Sequence, residues 1–344
     1  MTRLFESPRC RQRAPVRRRT APSARGLLAG LTVAWLSIGA AAAQGWPSRP
    51  VKLLVPLAAG STADIVSRTV GNELSAALGQ PVVVENKAGA GGTIAMAELA
   101  RAAPDGYTIS FASQGTLVFN QALYSRPGYD SLKDFAPIAL VGGVSNVMIV
   151  HPSNPATSAT DVIAEAKAKP GVLTFSSGGS GTSHHLSGVL FGQMTGTNLL
   201  HIPYKGAPQG ILAVMSGEVN MGFFNTPTVL SQIKDGRLKA LAVTSLEPSP
   251  LLPSLPPLAR SAVPGYEVNT WFGFVAPAAT PPEVIARLNR EIVKILGQPA
   301  VRDRLAGQGF ELNAPTQPEA FGKLIRDDLG KWVPIVKASG AKVD

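Results

Sequence analysis

Cysteine is almost missing from these 344 residues, Cys10 being the only one. It lies upstream of an apolar stretch near the N-terminus, so from Gln44 onward there is none. Disulfide frameworks, zinc–cysteine sites and thiol nucleophiles are excluded by counting. Histidine is scarce as well, and His151, His184, His185 and His201 show no H-x-x-x-H or H-E-x-x-H spacing, so no metal is expected. No G-x-x-x-x-G-K-[ST] stretch occurs. Residues 86–92 imitate a dinucleotide loop only in part, because the last glycine of G-x-G-x-x-G, counted from Gly89, falls on Ile94. Phosphate cofactors are therefore not indicated, and no cofactor is expected. Aromatic residues, 6% of the chain, are not interleaved with basic ones as nucleic-acid platforms require. Beyond the first 43 residues, no apolar run approaches the roughly 20 residues of a membrane span.

What is present is a folded, loop-rich composition: 45% hydrophobic, 16% charged, with 35 Gly and 29 Pro. The formal charge of +10 is concentrated at one end. Eight arginines and one glutamate fall in residues 1–43, leaving 24 basic against 21 acidic residues for the remainder. Residues 1–43 have the parts of a secretory signal: an Arg-rich start, about 13 apolar residues from Gly26 to Ile38, and the small residues Ala40 to Ala43. Cleavage after Ala43 and a periplasmic location are expected. The sequence does not separate Sec from twin-arginine export.

Along the rest of the chain, strand alternates with helix. An apolar run at residues 51–57 predicts a buried strand, and Val66, Val70, Leu74 and Leu78, four apart, predict a helix over 62–78 stopped by Gly79. Strands at 81–85 and 107–111 make a first βαβαβ unit of a doubly wound sheet. A second set starts with a strand at 144–150 and continues through strands at 172–175, 199–203, 219–224 and 238–244. Six prolines in residues 247–264 predict a connector without regular structure. A strand at 266–275 and helices at 282–296, 299–307 and 318–338 follow, too few strands for a domain of their own. The expectation is an α/β chain in which residues 44–145 and 266–344 form one lobe and 146–265 a second, crossed twice, with a ligand in the cleft between.

Open sheets bind at the carboxyl ends of their strands, which selects the loops 57–63, 110–116, 176–183 and 224–227. The first, with Ala58, Ala59, Gly60 and Ser61 before Asp64, consists of small residues and opens a helix. The third, with Ser177, Ser180, Gly181 and Thr182 before His185, does the same. Small side chains expose backbone N–H groups, and a helix start favours an anion by roughly 0.3–2 kcal/mol. Neither loop holds Lys or Arg, so two facing loops of this kind suit one carboxylate held by amides and hydroxyls. Asp64 serves equally as helix cap or as ligand contact. Ser113, Gln114, Thr116, Asn225 and Thr226 are candidates for reading the remainder of the ligand, and Lys205 for pairing with a second carboxylate. A hydrolase reading rests on Ser180 beside His184 and His185, but Gly178–Thr182 does not match G-x-S-x-G, so binding without catalysis fits better.

These residues resemble the solute receptors of tripartite tricarboxylate transporters, the Bug family of periplasmic binding proteins. The resemblance runs from Trp46-Pro-Ser-Arg-Pro50 through Pro56-Leu-Ala-Ala-Gly-Ser-Thr-Ala-Asp64, Gly79-Gln-Pro-Val-Val-Val-Glu-Asn86, Pro104-Asp-Gly-Tyr107 and Ser177-Gly-Gly-Ser-Gly-Thr182 to Trp271-Phe-Gly-Phe-Val-Ala-Pro277. It implies a two-lobed, type II (Venus-flytrap) periplasmic-binding-protein-like fold. The lobes close on a small organic carboxylate, and a monomer delivers it to integral membrane permease subunits. Two positions depart from the family: Gly60-Ser61 stands where Gly-Gly is common, and Val189 follows His185-Leu-Ser-Gly188 where Glu is frequent. A ligand-presenting partner for a membrane sensor, without transport, is the alternative role.

Overall fold

Val66, Val70, Leu74 and Leu78 are all buried along helix α1 (Thr62–Leu78), which Ser61 caps at one end and left-handed Gly79 (φ 68°) closes at the other. The apolar stripe read from the sequence is thus the face that packs on the sheet. The computed structural model describes residues 45–312, 316–338 and 341–343, so the leader read from residues 1–43 lies outside the described residues.

Following β1 (Val51–Val55) and α1 come β2 (Val82–Asn86), α2 (Thr93–Ala100) and β3 (Thr108–Ser113). A π-helical turn, Gly115–Phe119, and the single turn α3 (Asn120–Leu123) lead to β4 (Phe135–Val150). Then follow α4 (Ala159–Ala168), β5 (Thr174–Ser177), α5 (Ser183–Thr195), β6 (Leu200–Pro203), α6 (Ala207–Met215), β7 (Met221–Asn225), α7 (Thr226–Lys234) and β8 (Lys239–Val243). The last elements are α8 (Leu258–Ser261), β9 (Asn269–Pro277), α9 (Pro282–Leu296), α10 (Pro299–Ala306) and α11 (Pro318–Ala338).

The strands form a mixed sheet in the order β2-β1-β3-β9-β4-β7-β5-β6, with β8 added to β4. The two βαβαβ units are parallel within themselves, β1 with β2 and β3, and β5 with β6 and β7. Two antiparallel strands, β9 and β4, stand between them. β4 pairs with β9 up to Ser145, with β7 from Asn146 and with β8 from Val147, so it runs from one half into the other. β3 has the same direction as β4 and points its carboxyl end at the second half; β7, antiparallel to β4, points back. The loops following both units therefore converge on one seam.

The sequence predicted the strand ending at Val150 to start at Val144, whereas it begins at Phe135 and has 16 residues, about 50 Å of extended chain. Pro137, Gly142 and Gly143 break its apolar run, and the pairing with β9 shifts register at Pro137/Ala139 and Leu140/Gly142. Gly142 is at φ 151°, and a Cβ there would lie 2.0 Å from the Glu311 carbonyl oxygen. The strand tolerates these residues because bulges absorb them. The proline-rich connector is not wholly irregular either, since it contains α8 and a bridge between Val243 and Pro257.

Where the chain passes between halves, Thr244 joins both passages. Its hydroxyl oxygen accepts from the Asn146 amide at 2.8 Å, and its amide donates to the Asn146 carbonyl at 2.9 Å. The same hydroxyl donates to the Val268 carbonyl at 2.7 Å, just ahead of β9. Each half keeps its own core: Phe119, Trp271, Phe321 and Trp332 meet in the first, and Phe175, Phe191, Phe223 and Tyr266 in the second. α9 and α11 pack on β4, and α9 also on α1.

Candidate functional site

The loop after β1 is shaped by a reciprocal cap. Ser61 Oγ accepts from the Asp64 amide at 3.3 Å, while Asp64 Oδ2 accepts from the Gly60 amide at 2.9 Å. Arg68 Nε donates to Asp64 Oδ1 at 2.9 Å and its Nη2 to Asn86 Oδ1 at 2.9 Å, and Asn86 Nδ2 donates to the Leu57 carbonyl at 3.1 Å. Asp64 is buried and its carboxylate is occupied by these partners, which is the capping arrangement of the two weighed from the sequence. Arg68, which the sequence reading passed over, ties the loop to β2; its i,i+4 spacing from Asp64 was the available signal.

The loop after β5 is held by hydroxyls and imidazoles. Thr182 caps α5, accepting from the His185 amide at 3.4 Å and donating to the Gly179 carbonyl at 2.7 Å. His184 Nδ1 accepts from the Gly178 amide at 3.3 Å, which places its proton on Nε2, 3.1 Å from Asn225 Oδ1. His185 Nδ1 accepts from the Gly181 amide at 3.3 Å, and its ring stacks on His201 with centroids 4.2 Å apart. Ser177 Oγ accepts from the Gly179 amide at 3.1 Å and lies 2.7 Å from His201 Nε2. Burial pushes the pKa of His184 and of His185 down to about 4, and burial together with the nearby His185 ring pushes His201 down to about 3. All three imidazoles are neutral at pH 7. The serine–imidazole pair that forms here is Ser177–His201, and Ser177 is wholly buried.

Most amides of the two loops already have partners within the protein. The amides of Gly60, Gly178, Gly179 and Gly181 are engaged by side chains, and those of Ser61 and Thr182 by the carbonyls of Ala58 and Gly179. Among the described residues the amides of Ala58, Ala59 and Ser180, like those of Thr62, Ala63 and Ser183 in the first helical turns, make no such bond.

The other residues singled out from the sequence are placed differently. Ser113 and Thr116 bond each other, amide to hydroxyl in both directions, at 3.0 and 3.3 Å. Gln114 Nε2 donates to Asp328 Oδ2 at 2.7 Å, an oxygen that also accepts from Trp271 Nε1 at 2.6 Å. These three residues are buried and turned into the first half. Asn225 Oδ1 accepts from His184 and, at 3.3 Å, from the Thr62 hydroxyl, while its Nδ2 donates to Asn146 Oδ1 at 2.6 Å. Thr226 Oγ1 donates to the Ser145 carbonyl at 3.2 Å. Lys205 is exposed at the cleft.

The two loops do face each other. A cavity of 270 Å³ lies between residues 56–58 and 88–92 on one side and 178–180 and 203–205 on the other, with Tyr124 and Val343 completing its wall. Larger open grooves of 310, 490 and 500 Å³ lie elsewhere, and none of them draws on both loops. The halves approach at glycine: a Cβ on Gly91 would lie 2.3 Å from the Ser180 carbonyl oxygen, one on Gly115 2.7 Å from that of Gly181, and one on Gly206 2.5 Å from the Ala58 Cβ. Tyr124 Oη donates to the Ser180 carbonyl at 3.4 Å. The sequence reading missed residues 88–92, set aside as a failed dinucleotide loop, and Tyr124, Tyr204 and Val343. Positive φ at Gly89, Ala90, Gly91 and Gly92 shows why that loop needs its glycines: the backbone itself is the wall. Among the described residues no helix is long and apolar enough to cross a membrane, and no group of three or more His, Cys, Asp or Glu could hold a metal ion.

Comparison with known proteins points one way. The family model described as Tripartite tricarboxylate transporter family receptor matches residues 66–341. Protein BugT of Bordetella pertussis is 35% identical over 318 residues, 91% of this chain and 97% of its own. Among solved structures, R. palustris Rpa4515 with adipate superimposes with a TM-score of 0.83 at 33% identity, covering 86% of this chain and 98% of that one. MatC from Rhodopseudomonas palustris, with bound malate, has a TM-score of 0.81 at 28% identity, covering 85% and 100%.

Proposed function

Because the chain belongs to the tripartite tricarboxylate transporter receptor family, we propose that it captures a small organic carboxylate in the cleft and hands it to the membrane permease subunits of such a transporter. The observation that carries this reading is the pair of small-residue loops facing each other across a 270 Å³ cavity, with the amides of Ala58, Ala59 and Ser180 left without protein partners. Those donors are uncharged and come from both halves, so a carboxylate bridging them binds the closed arrangement better than an open one. The start of α1 on one side and of α5 on the other adds favourable dipole for the same charge. Lys205 supplies a positive charge at the rim for a second carboxylate.

In this account residues 44–145 with 266–344 form one lobe and 146–265 the other, and Gly60, Ser61, Ser177, Gly181, Thr182 and His185 shape the loops that present the amides. The neutral imidazoles act as hydrogen-bond partners of those loops, with no chemical step. Residues 1–43 direct export to the periplasm. Support for a carboxylate comes from the two related proteins solved with adipate and with malate.

The test is a thermal-shift screen of the purified protein with carboxylic acids, sugars and divalent cations. A ligand at 100 times its Kd stabilises by about 2.7 kcal/mol, a readily visible shift. Acids are expected to raise the melting temperature; a shift with sugars or cations and none with any acid would overturn the reading.

A further inference from the structure

We infer that Val343 sets the length of the acid that the cleft accepts. The inference rests on the receptor reading above and concerns a residue outside both binding loops. Most of the cavity wall is main chain and small side chains, from Ala58, residues 88–92 and 178–180. Among the described residues that line it, Leu57 and Val343 are the branched aliphatic ones. Leu57 belongs to the first binding loop, whose main chain is tied to β2 by the bond from Asn86 Nδ2 to the Leu57 carbonyl at 3.1 Å. Val343 comes from the segment 341–343, far along the chain from every loop that forms the cleft. Its amide donates to the Leu123 carbonyl at 3.2 Å, and Ala341 and Val343 pack against the core of the first half. Leu123 adjoins Tyr124, whose hydroxyl reaches the Ser180 carbonyl, so the segment is anchored to the same turn that meets the opposite half.

A carboxylate seated on Ala58, Ala59 and Ser180 leaves its hydrocarbon chain to the remaining walls. Val343 is the branched side chain that this chain can meet without displacing a binding loop. Size selection against an apolar wall is worth about 10- to 200-fold per methylene. Shortening the side chain therefore admits a longer acid, and enlarging it shortens the limit.

The experiment measures calorimetric affinities for straight-chain dicarboxylates from four to eight carbons with the wild type, Val343→Ala and Val343→Phe, with melting temperatures recorded in parallel. Val343→Ala is expected to move the preferred acid one or two methylenes longer, by roughly 10-fold relative to the wild-type optimum. Val343→Phe is expected to lose about 10-fold for the longest acid that the wild type accepts, with the shortest changed little. A purely structural role would weaken all acids alike and leave the length profile unchanged, and that result overturns the inference. Should Val343→Phe not fold, the Val343→Ala profile decides alone. If the wild type binds no acid by any measure, the receptor reading fails and the inference with it; wild-type binding with an unaltered profile sinks the inference only.

Discussion

The Thr62 hydroxyl donates to Asn225 Oδ1 across 3.3 Å, joining the first turn of α1 to the end of β7. Asn225 is itself fixed by His184 and Asn146, so the Thr62 bond presses against a rigid partner in the second half. Thr62→Val removes one buried hydrogen bond between the halves, and Asn225 Oδ1 keeps its bond from His184. At about 0.5–1.5 kcal/mol per bond, ligand affinity is expected to fall roughly 2- to 10-fold. Calorimetry on the variant checks this, and an unchanged affinity would show that the bond does not bear on closure.

Gly115 gives a sharper probe of closure. It lies in the π-helical turn with no positive φ, so alanine fits its backbone, yet the added Cβ would stand 2.7 Å from the Gly181 carbonyl oxygen in the other half. Overpacking of that kind costs roughly 1–3 kcal/mol. Gly115→Ala should weaken ligand binding about 5- to 150-fold while the melting temperature of the free protein, able to open, moves little. A large drop in that melting temperature with binding intact would mean that the contact belongs to the fold and not to closure.

Acid should destabilise the protein through its buried imidazoles. His184 and His185 titrate near 6.5 when unfolded but are held down at about 4 by burial in the native state. As the pH falls below about 6.5 the unfolded chain takes up protons that the folded one refuses, so stability declines until about pH 4 and then stops responding to these groups. Above pH 7 neither state is charged and no dependence from them is expected. Melting temperature followed from pH 8 to 4 measures this, and His184→Gln should flatten the slope; a wild-type curve level between pH 6.5 and 4 would contradict it.

Asp64→Ala removes the acceptor of the Gly60 amide and the partner of Arg68, leaving the start of α1 with a poorer cap. A loss of about 0.5–2 kcal/mol in stability is expected, together with weaker binding, because the loop carrying Ala58 and Ala59 loosens. Denaturant unfolding beside calorimetry separates the two effects. Full stability in the variant would show that the carboxylate is not a cap.

The alternation of strand and helix was legible because apolar spacing and end signals agreed: α1 begins at Thr62 and ends at Leu78, as the four-residue stripe and Gly79 indicate. Strands were legible at 144–150 and 266–275, but not their antiparallel pairing nor the start of β4 at Phe135. β4 and β9 are defined by long-range pairing, and Pro137 and Gly142 interrupt the local pattern that would have shown β4's length. The two facing loops could be chosen from small residues at strand ends. Which of their amides remain available could not, because that depends on Asp64, Ser177, His184 and His185 reaching the backbone in three dimensions. Ser113, Gln114, Thr116, Asn225 and Thr226 were chosen as polar residues at strand ends, a position that serves internal bracing and ligand contact alike; in the structure each has a protein partner. Residues 88–92 and Val343 carry no chemical signature at all, since one offers backbone and the other a methyl surface.

The most direct measurement is a crystal structure of the protein with a tightly bound acid from the screen. The account predicts one carboxylate within hydrogen-bond reach of the amides of Ala58 or Ala59 and of Ser180, with both halves touching it. A carboxylate seated on an arginine, or contacting one half alone, would contradict it.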